Sequence, residues 1–180
     1  EDLSPVIGMA TRFATEKGVE ILINALPKVM NAYPDAKVLY AGQYQDVMGE
    51  TAYFQRLLPE ITAYQKKGRW EFLGVLNQEE MAQFYSCLDV LVVPSLNSTE
   101  TFGLVQIEAM IRGTPTIASN LPGVRVPPRL TGMGEVVPIG DSDALAEAIL
   151  KIVAAPEKYH RASHEVAEIF DPLVNAAAYE

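Results

Sequence analysis

Cysteine is nearly absent: Cys87 is the only one in 180 residues. No internal disulfide and no cysteine-built zinc or iron–sulfur centre can form, and a reducing, cytoplasmic setting is expected. No apolar run approaches the ~20 residues that span a bilayer, and the opening Glu1-Asp2-Leu3-Ser4-Pro5 is not a signal peptide. Positive charge is scarce, with 14 Lys and Arg against 23 Asp and Glu and a net charge of −9. Polyanion binding needs a clustered positive face, so the charge balance argues against a general nucleic-acid role, and no nucleic-acid partner is expected. A small anion held by one or two cations and backbone amides remains open. There are two histidines, His160 and His164, four positions apart. They lack a His-Glu-x-x-His pattern or a third ligand nearby, and read as a solvated helix face rather than a metal site. Internal repeats, low-complexity segments and linkers are missing as well.

What is present is a globular composition, 49% hydrophobic and 21% charged. A domain of this length buries roughly 70% of its unfolded surface, enough for a core without staples. Short apolar runs alternate with helical periodicity. Val6–Met9, Lys37–Ala41, Trp70–Leu73, Val90–Val93, Pro115–Ala118 and Gly134–Pro138 read as strands. Val90-Leu91-Val92-Val93 is apolar throughout, which marks a strand buried on both faces. Helices are expected at about Lys17–Asn31, up to Lys66, over Gln78–Ser86, Phe102–Arg112, Ser142–Ala154 and Glu157–Ile169, and from Pro172 onward. Asn120–Thr131, with three prolines, reads as loop. The alternation predicts an α/β fold, a Rossmann-like open parallel sheet with helices on both faces.

In such sheets, ligands bind beyond the carboxyl ends of the strands. Two loops there are chemically loaded. The first holds Arg12 and Lys17-Gly18, five positions apart and at a helix entrance. Two cations and free amides suit a pyrophosphate; the plain alternative is a surface pair of Lys17 with Glu16 or Glu20. The second loop follows Pro94-Ser95 and holds Glu100, Phe102, Gly103, Leu104, Val105 and Glu108. Gly103 lets a ligand approach the backbone. Glu108 stands among Ile107, Ala109, Met110 and Ile111, where a carboxylate needs a partner or marks a site; the plain alternative is an ion pair with Arg112 four residues on. Asp141-Ser142-Asp143 reads as a helix cap, Cys87 as a small packing residue, and Trp70 and Phe72 as core.

Arg12-x4-Lys17-Gly18, then Phe72-Leu73-Gly74, then Asp89 to Ser95, then Glu100-x7-Glu108-Ala109-Met110 and Gly113-Thr114-Pro115 resemble the C-terminal, donor-binding half of glycosyltransferase family 4 (glycosyl transferases group 1), from Val6 to Ala155. The Glu-x7-Glu element is the most specific part. The resemblance implies one half of a two-domain GT-B fold and a retaining hexosyltransferase that takes a nucleoside-diphosphate sugar, UDP being expected before GDP or ADP. It implies that Arg12 and Lys17 hold the diphosphate, and that Glu100 touches the donor sugar near the reacting carbon. Phe102, Gly103, Leu104 and Val105 then supply helix-start amides, Glu108 the ribose contact, and Val75 and Leu76 the backbone beside the base. No metal and no cofactor are implied. The chain is then expected to be one domain, 1–180, with the start of a terminal helix at 173–180. An N-terminal acceptor domain of the same enzyme would be its partner, without which the piece is inactive. The implied setting is cytoplasmic polysaccharide biosynthesis, with peripheral membrane association through the other half. A non-catalytic nucleotide-binding module, a nucleotide-sugar epimerase and a glycogen-synthase-like polymerase are the alternatives. Departures from the family pattern fall at Gly42–Glu50, which lacks a second early glycine, and at Pro122–Pro127, which lacks a glutamate.

Overall fold

A computed structural model describes residues 4–99 and 103–171. Six strands form one parallel sheet: β1 Val6–Ala10, β2 Lys37–Ala41, β3 Trp70–Gly74, β4 Val90–Val93, β5 Thr116–Ser119 and β6 Gly134–Val137. Their order is β3-β2-β1-β4-β5-β6. The winding direction therefore reverses between β1 and β4, which pair through Ile7 with Val90 and Gly8 with Leu91. Connecting helices are α1 Val19–Ala32, α2 Thr51–Lys66, α3 Gln78–Ser86, α4 Leu104–Ile111, α5 Val126–Thr131, α6 Ser142–Ala154 and α7 Ser163–Ile169. This is the expected doubly wound, Rossmann-like sheet.

Strand periodicity distributes the core. Ile7, Met9, Val38, Tyr40, Val90 and Val92 join the cluster under α1, α2 and α6. The alternate positions Leu39, Ala41, Leu91 and Val93 join the cluster with Phe84, Tyr85 and Ala109 from α3 and α4. A period of two thus feeds both layers, which is why β4 carries no polar residue.

Four local expectations need correction. The helix expected from Lys17 is split: Thr15–Lys17 forms a short 3-10 turn, and Gly18, at φ 69°, separates it from α1. Asn120–Thr131 is not all loop, because Pro127 and Pro128 occupy the first turn of α5, where a missing amide costs nothing. The stretch from Glu157 is likewise divided, into a 3-10 turn at Pro156–Tyr159 and then α7. Cys87 is exposed rather than packed, ending α3 with its thiol donating to the Phe84 carbonyl. Pro27 lies inside α1 without ending it. Asp141 caps α6, accepting from the Ala144 amide at 2.9 Å.

Candidate nucleotide site

The loop after β1 is anchored by Phe13, which is fully buried and packs edge-on against Phe54 at 5.1 Å. Its backbone runs beside the loop after β2: the Thr11 amide donates to Ala41 at 2.9 Å and the Phe13 amide to Gln43 at 2.7 Å. Glu50 then caps the 3-10 turn, accepting from the Thr15 amide at 3.0 Å and hydroxyl at 2.7 Å. So the Gly42–Glu50 loop holds the turn that carries Lys17. Thirty-five positions separate that cap from its turn, and no local signal announces it.

Arg12 is exposed on this turn and ion-pairs with Glu16. Of the two carboxylates weighed as surface partners for Lys17, Glu16 is taken by Arg12, and Glu20 accepts from Arg56 at 2.6 Å. Lys17 is half-buried and lines a narrow slot of about 10 Å³ with Met9, Ala10, Val92, Ser95 and Val105. That slot lies at the reversal between β1 and β4. The turn and the β4 exit touch directly: the Leu96 amide donates to the Glu16 carbonyl at 2.8 Å. A Cβ on Gly18 would stand 2.1 Å from the Pro94 carbonyl oxygen.

Helix α4 starts at Leu104 and follows Gly103, whose φ is 71°. Glu100 and Phe102 lie outside the described residues. Leu104 is exposed, and Val105 reaches the slot. Gln106 is fully buried, donating to the Val124 carbonyl at 2.9 Å and accepting from the Thr116 hydroxyl at 3.1 Å, which locks the helix to β5 and the following loop. Glu108 is one helical turn beyond Val105 on the same side. It makes no ion pair with Arg112. Its carboxylate instead accepts from the Tyr85 hydroxyl at 2.8 Å. Burial and that neighbouring carboxylate push the Tyr85 phenol far above its ordinary value.

Glu108 opens on a cavity of about 520 Å³ that also has Leu76, Met81, Tyr85, Ile111 and Arg112 in its walls. Leu76 is half-buried there, at the exit of β3, while Val75 is 78% exposed. The structure therefore brings Lys17 and Val105 together in one hollow and Leu76 and Glu108 in the next, joined along α4. Arg12 lines neither; its exposed side chain turns to Glu16. Tyr85 escaped the sequence reading because an aromatic pair, Phe84-Tyr85, at the end of a helix looks like core.

Residues 2–168 match the sequence model of the family described as Glycosyl transferases group 1. The chain belongs to that family. This group 1 glycosyltransferase chain is 32% identical over 164 residues to the phosphatidyl-myo-inositol mannosyltransferase of Mycobacterium leprae, covering 89% of the chain and 41% of that relative. It is 32% identical to sucrose-phosphate synthase from Thermosynechococcus elongatus, with a TM-score of 0.77 over 98% of the chain and 44% of that structure. It also resembles HepE from Anabaena, crystallised with UDP and glucose, at 26% identity and a TM-score of 0.80 over 97% of the chain and 47% of that structure. The chain spans less than half the length of these relatives.

Proposed function

We propose that this chain supplies the donor site of a retaining GT-B hexosyltransferase. The observation that carries the reading is the junction at the β1/β4 reversal, where a half-buried lysine faces the start of α4 and a carboxylate follows one turn later. Ligands in doubly wound sheets sit at that reversal. Arg12 and Lys17 hold the diphosphate, and amides from Phe102 to Val105 add neutral donors to the sugar and phosphate. Glu108 accepts from the ribose hydroxyls, Glu100 holds the transferring sugar beside its reacting carbon, and the backbone at Val75 and Leu76 borders the base.

The chemistry asked of these groups is electrostatic. As the sugar–oxygen bond breaks, negative charge grows on the departing diphosphate; an acceptor hydroxyl attacks from the same face, its proton passing to the phosphate oxygen that leaves. Cations and amides already aimed at that charge lower the barrier without reorganising. No metal or cofactor takes part in this scheme. A second, N-terminal domain contributes the acceptor site, so this chain alone binds donor without turning it over. The relatives that transfer mannose or bind UDP and glucose support a hexose donor, with UDP tried first. Among the described residues no helix is long and apolar enough to cross a membrane; the proposed setting is cytoplasmic, with membrane contact through the other domain.

The test is calorimetric titration with UDP, GDP, ADP and their sugar conjugates. One nucleoside diphosphate should bind, and Lys17→Ala should weaken it about tenfold or more, since a charge-assisted hydrogen bond is worth ~1.5–3 kcal/mol. Equal affinity in parent and variant would remove Lys17 from the phosphate site.

A further inference from the structure

Glu108 would be poorly prepared for a ligand if left to itself. It is exposed on a helix surface, a glutamate has several rotamers, and Arg112 lies one turn on, where an i,i+4 pair would draw the carboxylate away from the strand ends. The Tyr85 hydroxyl prevents this by donating to one carboxylate oxygen at 2.8 Å from the buried side. Tyr85 itself cannot follow a moving partner. Its side chain is 2% exposed within the cluster that includes Phe84, Leu91 and Ala109. Its carbonyl accepts from the buried Thr114 hydroxyl at 2.6 Å, and the Thr114 amide in turn donates to the Ala109 carbonyl of α4 at 3.0 Å. Helix α3 is therefore stitched to α4 at two points, one of them the carboxylate.

Resting on the ribose assignment of Glu108, we propose that Tyr85 is its positioning residue, a buried hydroxyl that holds the carboxylate aimed into the 520 Å³ cavity so that the two ribose hydroxyls meet an acceptor already in place. One carboxylate oxygen takes the phenol while leaving the other, and its own second lone pair, for the ligand. Without the phenol, the ligand would have to order a free glutamate side chain on binding, at a cost of up to about an order of magnitude in affinity.

The experiment is a double-mutant cycle on this chain with Tyr85→Phe, Glu108→Ala and the pair, read by titration of UDP and of 2′,3′-dideoxyuridine diphosphate, with GDP and its dideoxy analogue substituted if GDP is the diphosphate that binds. Tyr85→Phe should weaken the ribose-bearing ligand about fivefold to tenfold. It should leave the dideoxy ligand unchanged and cost nothing further once Glu108 is alanine. Loss of affinity for both ligands, or additive losses in the pair, would mean that Tyr85 only supports the fold, and would overturn the proposal. Parent-like binding by Tyr85→Phe, alongside a weakened Glu108→Ala, would overturn it while leaving the ribose contact standing. If Glu108→Ala binds as the parent does, the ribose assignment falls and this inference with it.

Discussion

Two glutamates eight positions apart, Glu100 and Glu108, are assigned separable contacts, and their conservative variants should divide those contacts. Glu108→Gln keeps the shape but gives up a charged acceptor for two hydroxyls. It should weaken nucleoside monophosphate, diphosphate and nucleotide sugar alike, by about tenfold. Glu100→Gln should spare the diphosphate and weaken only the intact nucleotide sugar. In the complete enzyme it should also lower kcat, because the contact proposed for it lies beside the reacting carbon, where binding strengthens in the transition state. Titration of the three ligand types against both variants checks this, and matching losses across all ligands would show the roles to be wrongly divided. The reasoning is local: Glu108 was conspicuous in sequence because Ile107, Ala109, Met110 and Ile111 surround it. Which partner it takes was not legible there, since Arg112 is its neighbour on the helix and Tyr85 is twenty-three positions away.

At the scale of elements, the approach of two strand exits depends on one small residue. Gly18 adopts φ 69° between the 3-10 turn and α1, and the Pro94 carbonyl occupies the space a Cβ would need. Gly18→Ala therefore meets both a left-handed backbone and a backbone clash. It should cost at least about 1 kcal/mol of stability. Because the displaced turn carries Lys17, it should also weaken nucleoside diphosphate binding. Chemical denaturation and titration of the same variant test the coupling; a stable variant with parent affinity would show that the approach is not needed. The glycine after Lys17 was visible in sequence as part of a motif, yet its neighbour Pro94 was not. Likewise the prolines at 127 and 128 suggested loop, since a proline's helix-breaking effect is more familiar than its fitness for a first turn.

The whole molecule is closed at its β6 edge by one carboxylate shared among three elements. Glu135 on β6 accepts from Lys151 on α6 at 2.6 Å and from Tyr159 in the following 3-10 turn at 2.5 Å. Burial alone would push its carboxyl up, but the Lys151 and Tyr159 hydrogen bonds prevail and hold it below the ordinary value. A carboxyl depressed in the folded state stabilises fully above the unfolded value of about 4.5, and that stabilisation is lost as pH falls through the folded one. Glu135→Gln should thus lower Tm by about 2–4 °C at neutral pH, with the gap narrowing as the pH is taken below about 4.5 and through the depressed folded value. Thermal melts across that range check it, and a gap that persists in acid would assign the loss to packing instead.

By itself the sequence determined the fold class, because alternating apolar runs and 3.6-residue periodicity are local patterns that need no knowledge of neighbours. It also determined which ends of the strands carry charged residues, through Arg12, Lys17 and Glu108. The tertiary structure alone decided the strand order, and with it that the Lys17 turn meets the exit of β4 rather than any other strand. It decided, too, that Glu50 caps that turn and that Glu108 answers to Tyr85 rather than Arg112. Those pairings join residues tens of positions apart, and a contact of that kind exists only after the sheet has set its register and the helices have packed upon it.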